Sequence, residues 1–139
     1  MIEYKNLIIL PVFHNKLMFT QELRKVFYQF TPDIVAVEFP IILKEQIMTG
    51  INRLPAISAL LYDDHYNKVA VLVPIDPADS LIKAIRLGLE YNCQIEFVDV
   101  FVKNYISEYI ATPDEEAIES LGYEKFHKEV AGFLTAIRK

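Results

Sequence analysis

Three residues stand where their types and spacing can do chemistry: His14, Glu38 and Asp99. Each follows a run that reads as strand interior, NLIILPVF before His14, IVAV before Glu38 and QIEFV before Asp99. In a parallel α/β sheet ligands bind at the carboxyl ends of the strands. A histidine and two carboxylates delivered to that edge are suited to a divalent metal or to acid/base catalysis. A metal that activates water for hydrolysis takes about three protein ligands and keeps one position open, and His14, Glu38 and Asp99 supply that number. His65, in the stretch Asp63-Asp64-His65-Tyr66-Asn67, is a reserve ligand if that loop folds over the edge.

Each of these residues also has a structural role open to it. His14 serves equally well as a loop histidine or a helix cap. Glu38 stands one or two residues before a helix, where the macrodipole favours an anion. An aspartate at a strand end, such as Asp99, commonly accepts from nearby backbone amides. Asp63 and Asp64 suit a turn, and Asp76 an N-cap. Asp114, Glu115, Glu116 and Glu119 suit the first turns of a helix, and His127, on a charged terminal segment, is expected to be exposed.

The elements that must position these side chains follow from periodicity. NLIILPVF, residues 6 to 13, is a continuous apolar run of the kind that a sheet covered on both faces demands. A helix follows from Thr20 to Phe30, with Leu23, Val26, Phe27 and Phe30 on one face, and Thr31-Pro32 ends it. IVAVEF then makes a second buried strand, so strand, helix and strand within one short stretch predict a right-handed parallel crossover. A second helix is expected from Pro40 to Asn52, with Pro40 in its first turn. PAISALLY and KVAVLVPI read as a hairpin with a five-residue loop at 63 to 67.

Asp76-Pro77 opens a third helix that buries Leu81, Ile82, Ile85 and Leu89 and ends near Asn92. QIEFVDV, 94 to 100, is the last strand. FVKNYISEYI reads as helical, Thr112-Pro113-Asp114-Glu115 as a capping box, Gly122 as a helix end, and 123 to 139 as a closing segment. The expected fold is one α/β domain: a mostly parallel, three-layer sheet with a β-hairpin insertion and C-terminal helices.

Composition narrows the function classes. A chain of 139 residues, 53% apolar and 24% charged, has the size and balance of one ordinary globular domain with a slight apolar surplus. That surplus fits a well-filled core or a face that belongs against a second subunit. Fourteen basic residues scattered singly in a chain of net charge −5 argue against nucleic acid and against anionic membranes. The longest apolar runs are far shorter than the roughly 20 residues of a membrane span, and the first lacks the basic leader of a signal peptide. Cys93 is the single cysteine, which fits a reducing, cytoplasmic compartment.

The run from the first strand through His14 to PDIVAVEFP, then the hairpin, then PIDPADSLIKAIRLGLEYNCQIEFVDV, resembles a family of uncharacterised bacterial proteins. Their N-terminal domain opens with a strand and a Gly-x-Arg-His-His-Gly-Pro turn, followed by an Ile-Glu-Gly-Pro strand end. That family is distantly similar to the TraB, GumN, TIKI, ChaN and erythromycin-esterase group. The resemblance covers roughly residues 5 to 130. It implies a histidine at position 14 and a glutamate at position 38 in an active site, and a hydrolase of metal-dependent peptidase or esterase type. Pro74 to Leu81, FVDV and DEEAIESLGYEKFHKEV resemble further stretches of the family. The chain departs from the pattern at the turn, where Asn15 replaces the second histidine and the glycines and arginine are missing. Members are often longer, so the chain reads as the N-terminal part of a longer protein or a reduced relative.

Two expectations result. One is a hydrolase in which His14 and Glu38 hold a metal or activate water, with Asp99 as an orienting group or second ligand. The other is a non-catalytic interaction or oligomerisation module with a degenerate site, forming a homodimer or docking on a larger assembly. Binding of a small anion at helix N-termini without chemistry is a third.

Overall fold

Residues 1–64, 69–100 and 117–137 are described by a computed structural model. The chain mixes helices with strands and divides into two compact units, one built from Met1–Phe13 with the described C-terminal residues, the other from His14 onward.

The first unit corrects the expected opening strand. Residues 6 to 13 do not form one buried strand. Leu7–Ile9 (β2) pairs antiparallel with Ile2–Tyr4 (β1), with Ile2 opposite Ile9, and all four of Ile2, Tyr4, Leu7 and Ile9 are largely exposed. Pro11 explains the early stop, because its ring removes the backbone N–H that a ladder needs. The C-terminal part of this unit contains a short helix at Ala117–Leu121 and a longer one at Tyr123–Ile137, separated by Gly122 at φ +78°. Only glycine adopts that conformation without strain, so the sequence signal for a helix end is met. Ile118, Phe126 and Val130 are buried, and Phe13 sets its ring edge against Phe126 at 5.9 Å. His127 is half-buried, not exposed, with its ring 4.4 Å from that of Tyr123.

The second unit begins with a helix at Leu17–Phe30 (α1), which ends at Thr31 in the left-handed conformation with its N–H on the carbonyl of Phe27. Phe19 and Phe27 are buried on its inner face, while Phe30 is exposed. Strand Ile34–Pro40 (β3) pairs in parallel with Gln94–Asp99 (β6), Ile34 facing Gln94 and Pro40 facing Asp99. The expectation of two covered faces does not hold for β3. Val35, Val37 and Phe39 are buried, whereas Ile34, Ala36 and Glu38 are exposed, so the strand is covered on one face. Pro40 closes the strand instead of opening a helix; a 3₁₀ turn at Ile41–Leu43 precedes the helix Lys44–Asn52 (α2).

Ser58–Asp64 (β4) and Val69–Ile75 (β5) form the expected antiparallel hairpin. Asp64 is opposite Val69, so Asp63 and Asp64 belong to the strand and not to the loop; His65 lies outside the described residues. Helix Ser80–Glu90 (α3) packs against α1, β3 and β6. Ile82 and Ile85 are buried as the periodicity requires, together with Ala84 and Leu87, while Leu89 is 41% exposed. Gly88 allows the close approach: a Cβ there would lie 2.3 Å from Ile95 Cδ1 and 3.2 Å from Val35 Cγ2. Among the described residues the three sheets are each two-stranded and only β3–β6 is parallel, which is less than the single, mostly parallel sheet expected. The segment 101 to 116, with its expected helix and capping box, lies outside the described residues.

Candidate functional site

The start of α3 is built around Asp79. Its side chain is almost fully buried, and both oxygens are engaged. Oδ1 accepts from the backbone N–H of Leu81 at 2.9 Å and of Ile82 at 3.2 Å, which makes Asp79 the N-cap of α3. Oδ2 faces the chain before α1. It accepts from Nδ1 of His14 at 2.9 Å and from the backbone N–H of Asn15 at 3.1 Å. Asn15 has φ +56°, a left-handed conformation that asparagine tolerates better than most residues, and it turns the His14–Asn15 corner so that both groups meet one oxygen. Below the cap, Thr20 Oγ1 on α1 donates to the carbonyl of Ala78 at 2.5 Å, tying the residue before Asp79 to the neighbouring helix.

Asp76, expected to be the N-cap, instead accepts from the N–H of Ala78 at 2.8 Å and shapes the turn leading to Asp79. One signal in the sequence favours Asp79: the cap belongs immediately before the first apolar residues of the helix, and Asp79-Ser80-Leu81-Ile82 meets that rule better than Asp76 does. Nothing in the sequence links Asp79 to a histidine 65 residues upstream.

His14 and Asp79 line a cavity of about 320 Å³, together with Asn15, Glu38, Phe39 and the Leu72–Pro74 stretch of β5. The His14 side chain is 61% exposed, and its ring centroid is 6.4 Å from that of Phe39. The hydrogen bond to Asp79 holds its pKa above the usual imidazole value; partial burial opposes this, and the negative charges of Asp79 and Glu38 reinforce it. Burial pushes the Asp79 carboxyl upward, but the hydrogen bond from His14 and those from the Ile82 and Asn15 amides outweigh it, so the group lies below its ordinary value. With Nδ1 donating to a carboxylate, Nε2 is the ring nitrogen left for other partners.

His14 and Glu38 are therefore brought to one cavity as expected. Asp99 is not among the residues lining it. At the end of β6 its Oδ1 accepts from the N–H of Val100 at 2.8 Å, the strand-end role open to any aspartate. Among the described residues no three His, Cys, Asp or Glu side chains gather to hold a metal ion, so His14, Glu38 and Asp99 do not form the expected three-ligand set. The bond from Nδ1 to Asp79 leaves Nε2 of His14 open, as in a histidine that binds a metal. Both oxygens of Asp79 are engaged, however, and Glu38 is the one further carboxylate among the described lining residues, so the donors fall short of the about three ligands of a hydrolytic metal. No helix among the described residues is long and apolar enough to cross a membrane. Compared with protein-family models, with curated proteins and with solved structures, the chain matches none.

Proposed function

We propose that the chain is a hydrolase in which His14 and Glu38 act as an acid/base pair on water, with Asp79 positioning His14. The observation that supports this reading is a buried carboxylate holding Nδ1 of an exposed histidine at a cavity that a second carboxylate, Glu38, also lines. A histidine oriented in this way presents one nitrogen in one tautomer, which is the arrangement proton transfer requires. Because Asp79 favours the imidazolium, the roles divide. Glu38 takes a proton from water as the water oxygen bonds to the electrophilic centre of the substrate. The bond to the leaving group then breaks, and the leaving atom takes the proton from Nε2 of His14. Glu38 releases its proton to solvent, and His14 is reprotonated from it, which completes the balance. The likeness to the TraB and GumN group, a cytoplasmic setting and a fuller, mostly parallel sheet belong to the same proposal.

The test is turnover across a panel of nitrophenyl esters, anilides and phosphoesters. Glu38→Gln lowers kcat about a hundredfold or more without changing the melting temperature, and His14→Gln lowers kcat as much while also giving up the stabilising bond to Asp79. Asp79→Asn moves the alkaline limb of the pH profile to lower pH, because the lost carboxylate no longer raises the pKa of His14. If none of the panel is turned over, or if the first two variants match the wild type, the hydrolase reading ends.

A second reading, a module that forms a homodimer or docks on a larger protein, is favoured by a different observation. On the hairpin, Leu61 and Leu72 lie directly opposite each other, 67% and 61% exposed, and Ile57 is 66% exposed. Apolar side chains grouped in this way mark interaction surfaces. Sedimentation at micromolar concentration gives a dimer on this reading, and a monomer throughout the accessible range removes the homodimer.

A further inference from the structure

We infer that the groove between α2 and the outer edge of β4 takes an extended peptide, which adds to β4 as an antiparallel strand and carries a basic residue four positions before an acidic one. This deepens the docking reading above by naming a partner and rests on it. It does not depend on the hydrolase reading, whose cavity meets the hairpin at β5.

The strand edge is the first argument. Ala59 pairs with Pro74, which has no N–H, so these two do not exchange ladder hydrogen bonds. The alternation of an antiparallel ladder then turns the N–H and C=O groups of Ala59 and Leu61 away from β5. Among the described residues β5 is the only strand beside β4, and no loop backbone bonds to that edge. An edge left open in this way is a template for a further strand.

The groove is the second argument. A cavity of about 380 Å³ is lined by Ser58, Ala59 and Leu60 in succession but not by Pro74 and Val73, the β5 partners of the last two, so it opens on the free side of β4. Apart from Ile75, the rest of its lining comes from α2 and its C-cap Arg53. Gly50 lets the helix come close, since a Cβ there would overlap Ile75 Cδ1 and lie 3.2 Å from Ser58 Oγ. That contact places the C-terminal half of α2 beside the start of β4, on the face to which Ser58 points.

Charge sets the register. Glu45 in the first turn of α2 and Arg53 at its end both line the cavity, and eight residues of helix separate them by about 12 Å along the axis. Both are exposed, and neither side chain has a partner among the described residues. In an extended strand residues four apart share a face and lie about 13 Å from each other, so a lysine and a glutamate at that spacing reach Glu45 and Arg53. A strand antiparallel to β4 ends beside Ser58, at the Arg53 end, and the lysine therefore comes first. Each exposed ion pair is worth at most about fivefold in affinity, so the charges fix direction while main-chain hydrogen bonds supply the binding.

The test uses the peptide acetyl-Thr-Lys-Val-Thr-Val-Glu-Thr-amide and follows the amide resonances of ¹⁵N-labelled protein. Binding shifts the amides of Ala59 and Leu61 and slows their exchange with solvent. Peptide residues that bond to Ala59 and Leu61 lie directly opposite them and share their face, the one away from α2, so they are the two valines. N-methylation of both valines weakens binding at least about tenfold, the loss of two neutral hydrogen bonds, while N-methylation of the central threonine and the glutamate changes it less than about threefold. A peptide with lysine and glutamate exchanged binds the wild type about fivefold more weakly, and the Glu45→Lys/Arg53→Glu double variant prefers it. Equal affinity of the two N-methylated peptides, or a charge preference that the double variant does not invert, overturns the inference. Slowed exchange at Ala59 and Leu61 that appears without peptide as protein concentration rises gives the edge to a second copy, which supports the homodimer and overturns the peptide. A chain that stays monomeric and binds no peptide also overturns the inference, and leaves the docking reading to the outward face of Leu61 and Leu72.

Discussion

Asp79 and Asp99 are the same residue at the start of α3 and at the end of β6, in one unit of the molecule, and they live in different chemistry. Asp79 is nearly inaccessible and receives four N–H groups from two segments of chain, the turn at 14 and 15 and the first residues of α3. Asp99 is half-exposed and receives the amide of the next residue. A carboxylate taken out of water is stable only when its lone pairs are filled, so the burial of Asp79 forces a network around it. Asp99, which keeps water, needs none. The difference shows where a site is built in this fold: at a helix start that gathers distant backbone, more than at a strand end.

The largest effect separating the two aspartates is on stability. Asp79→Ala removes the N-cap of α3 and leaves buried N–H groups without acceptors, a loss of about 2–4 kcal/mol from capping and unsatisfied donors together. The contribution also has a pH signature. The Asp79 pKa is lowered by folding, so its share is present above the unfolded carboxyl value near 3.8 and is lost as pH falls through the lower folded value. The His14 pKa is raised, so its share is present below the unfolded value of 6.5 and is lost as pH rises through the higher folded value. Urea unfolding of the wild type relative to Asp79→Ala therefore shows the greatest difference between those two limits and less on either side. A difference independent of pH would leave Asp79 as a cap alone and break the comparison.

Much of this arrangement was readable in the residues, and the failures have physical causes. Glu38 and His14 line one cavity although the strand expected up to Phe13 ends at Ile9 and Pro40 closes β3 instead of opening a helix. The one-sided burial of β3 was not readable, since Ile34-Val35-Ala36-Val37 is apolar on both faces and only Glu38 reveals the alternation. In the run 6 to 13 the apolar count outweighed Pro11, the residue that limits a ladder. Two aspartates three apart, Asp76 and Asp79, both suit a helix start. Their division into a turn residue and a cap was decided by which lay next to Leu81 and Ile82. The pairing of Asp79 with His14 depends on α1 and α3 packing side by side, a long-range contact that no local pattern contains. The contact of half-buried His127 with Tyr123 is of the other kind, a local one between residues four apart on one helix.

The smallest expected effect is the sharpest test of the contrast, because the sequence pattern alone put Asp99 in the site. Asp99→Ala removes one hydrogen bond between neighbouring residues at a place where water can replace the acceptor, and Val100, whose amide is freed, is itself 73% exposed. The expected change in unfolding free energy is within about 0.5 kcal/mol. If the proposed hydrolysis holds, kcat of this variant stays within about twofold of the wild type, against about a hundredfold loss for His14→Gln. A loss for Asp99→Ala comparable with that of His14→Gln would bring the end of β6 back into the site.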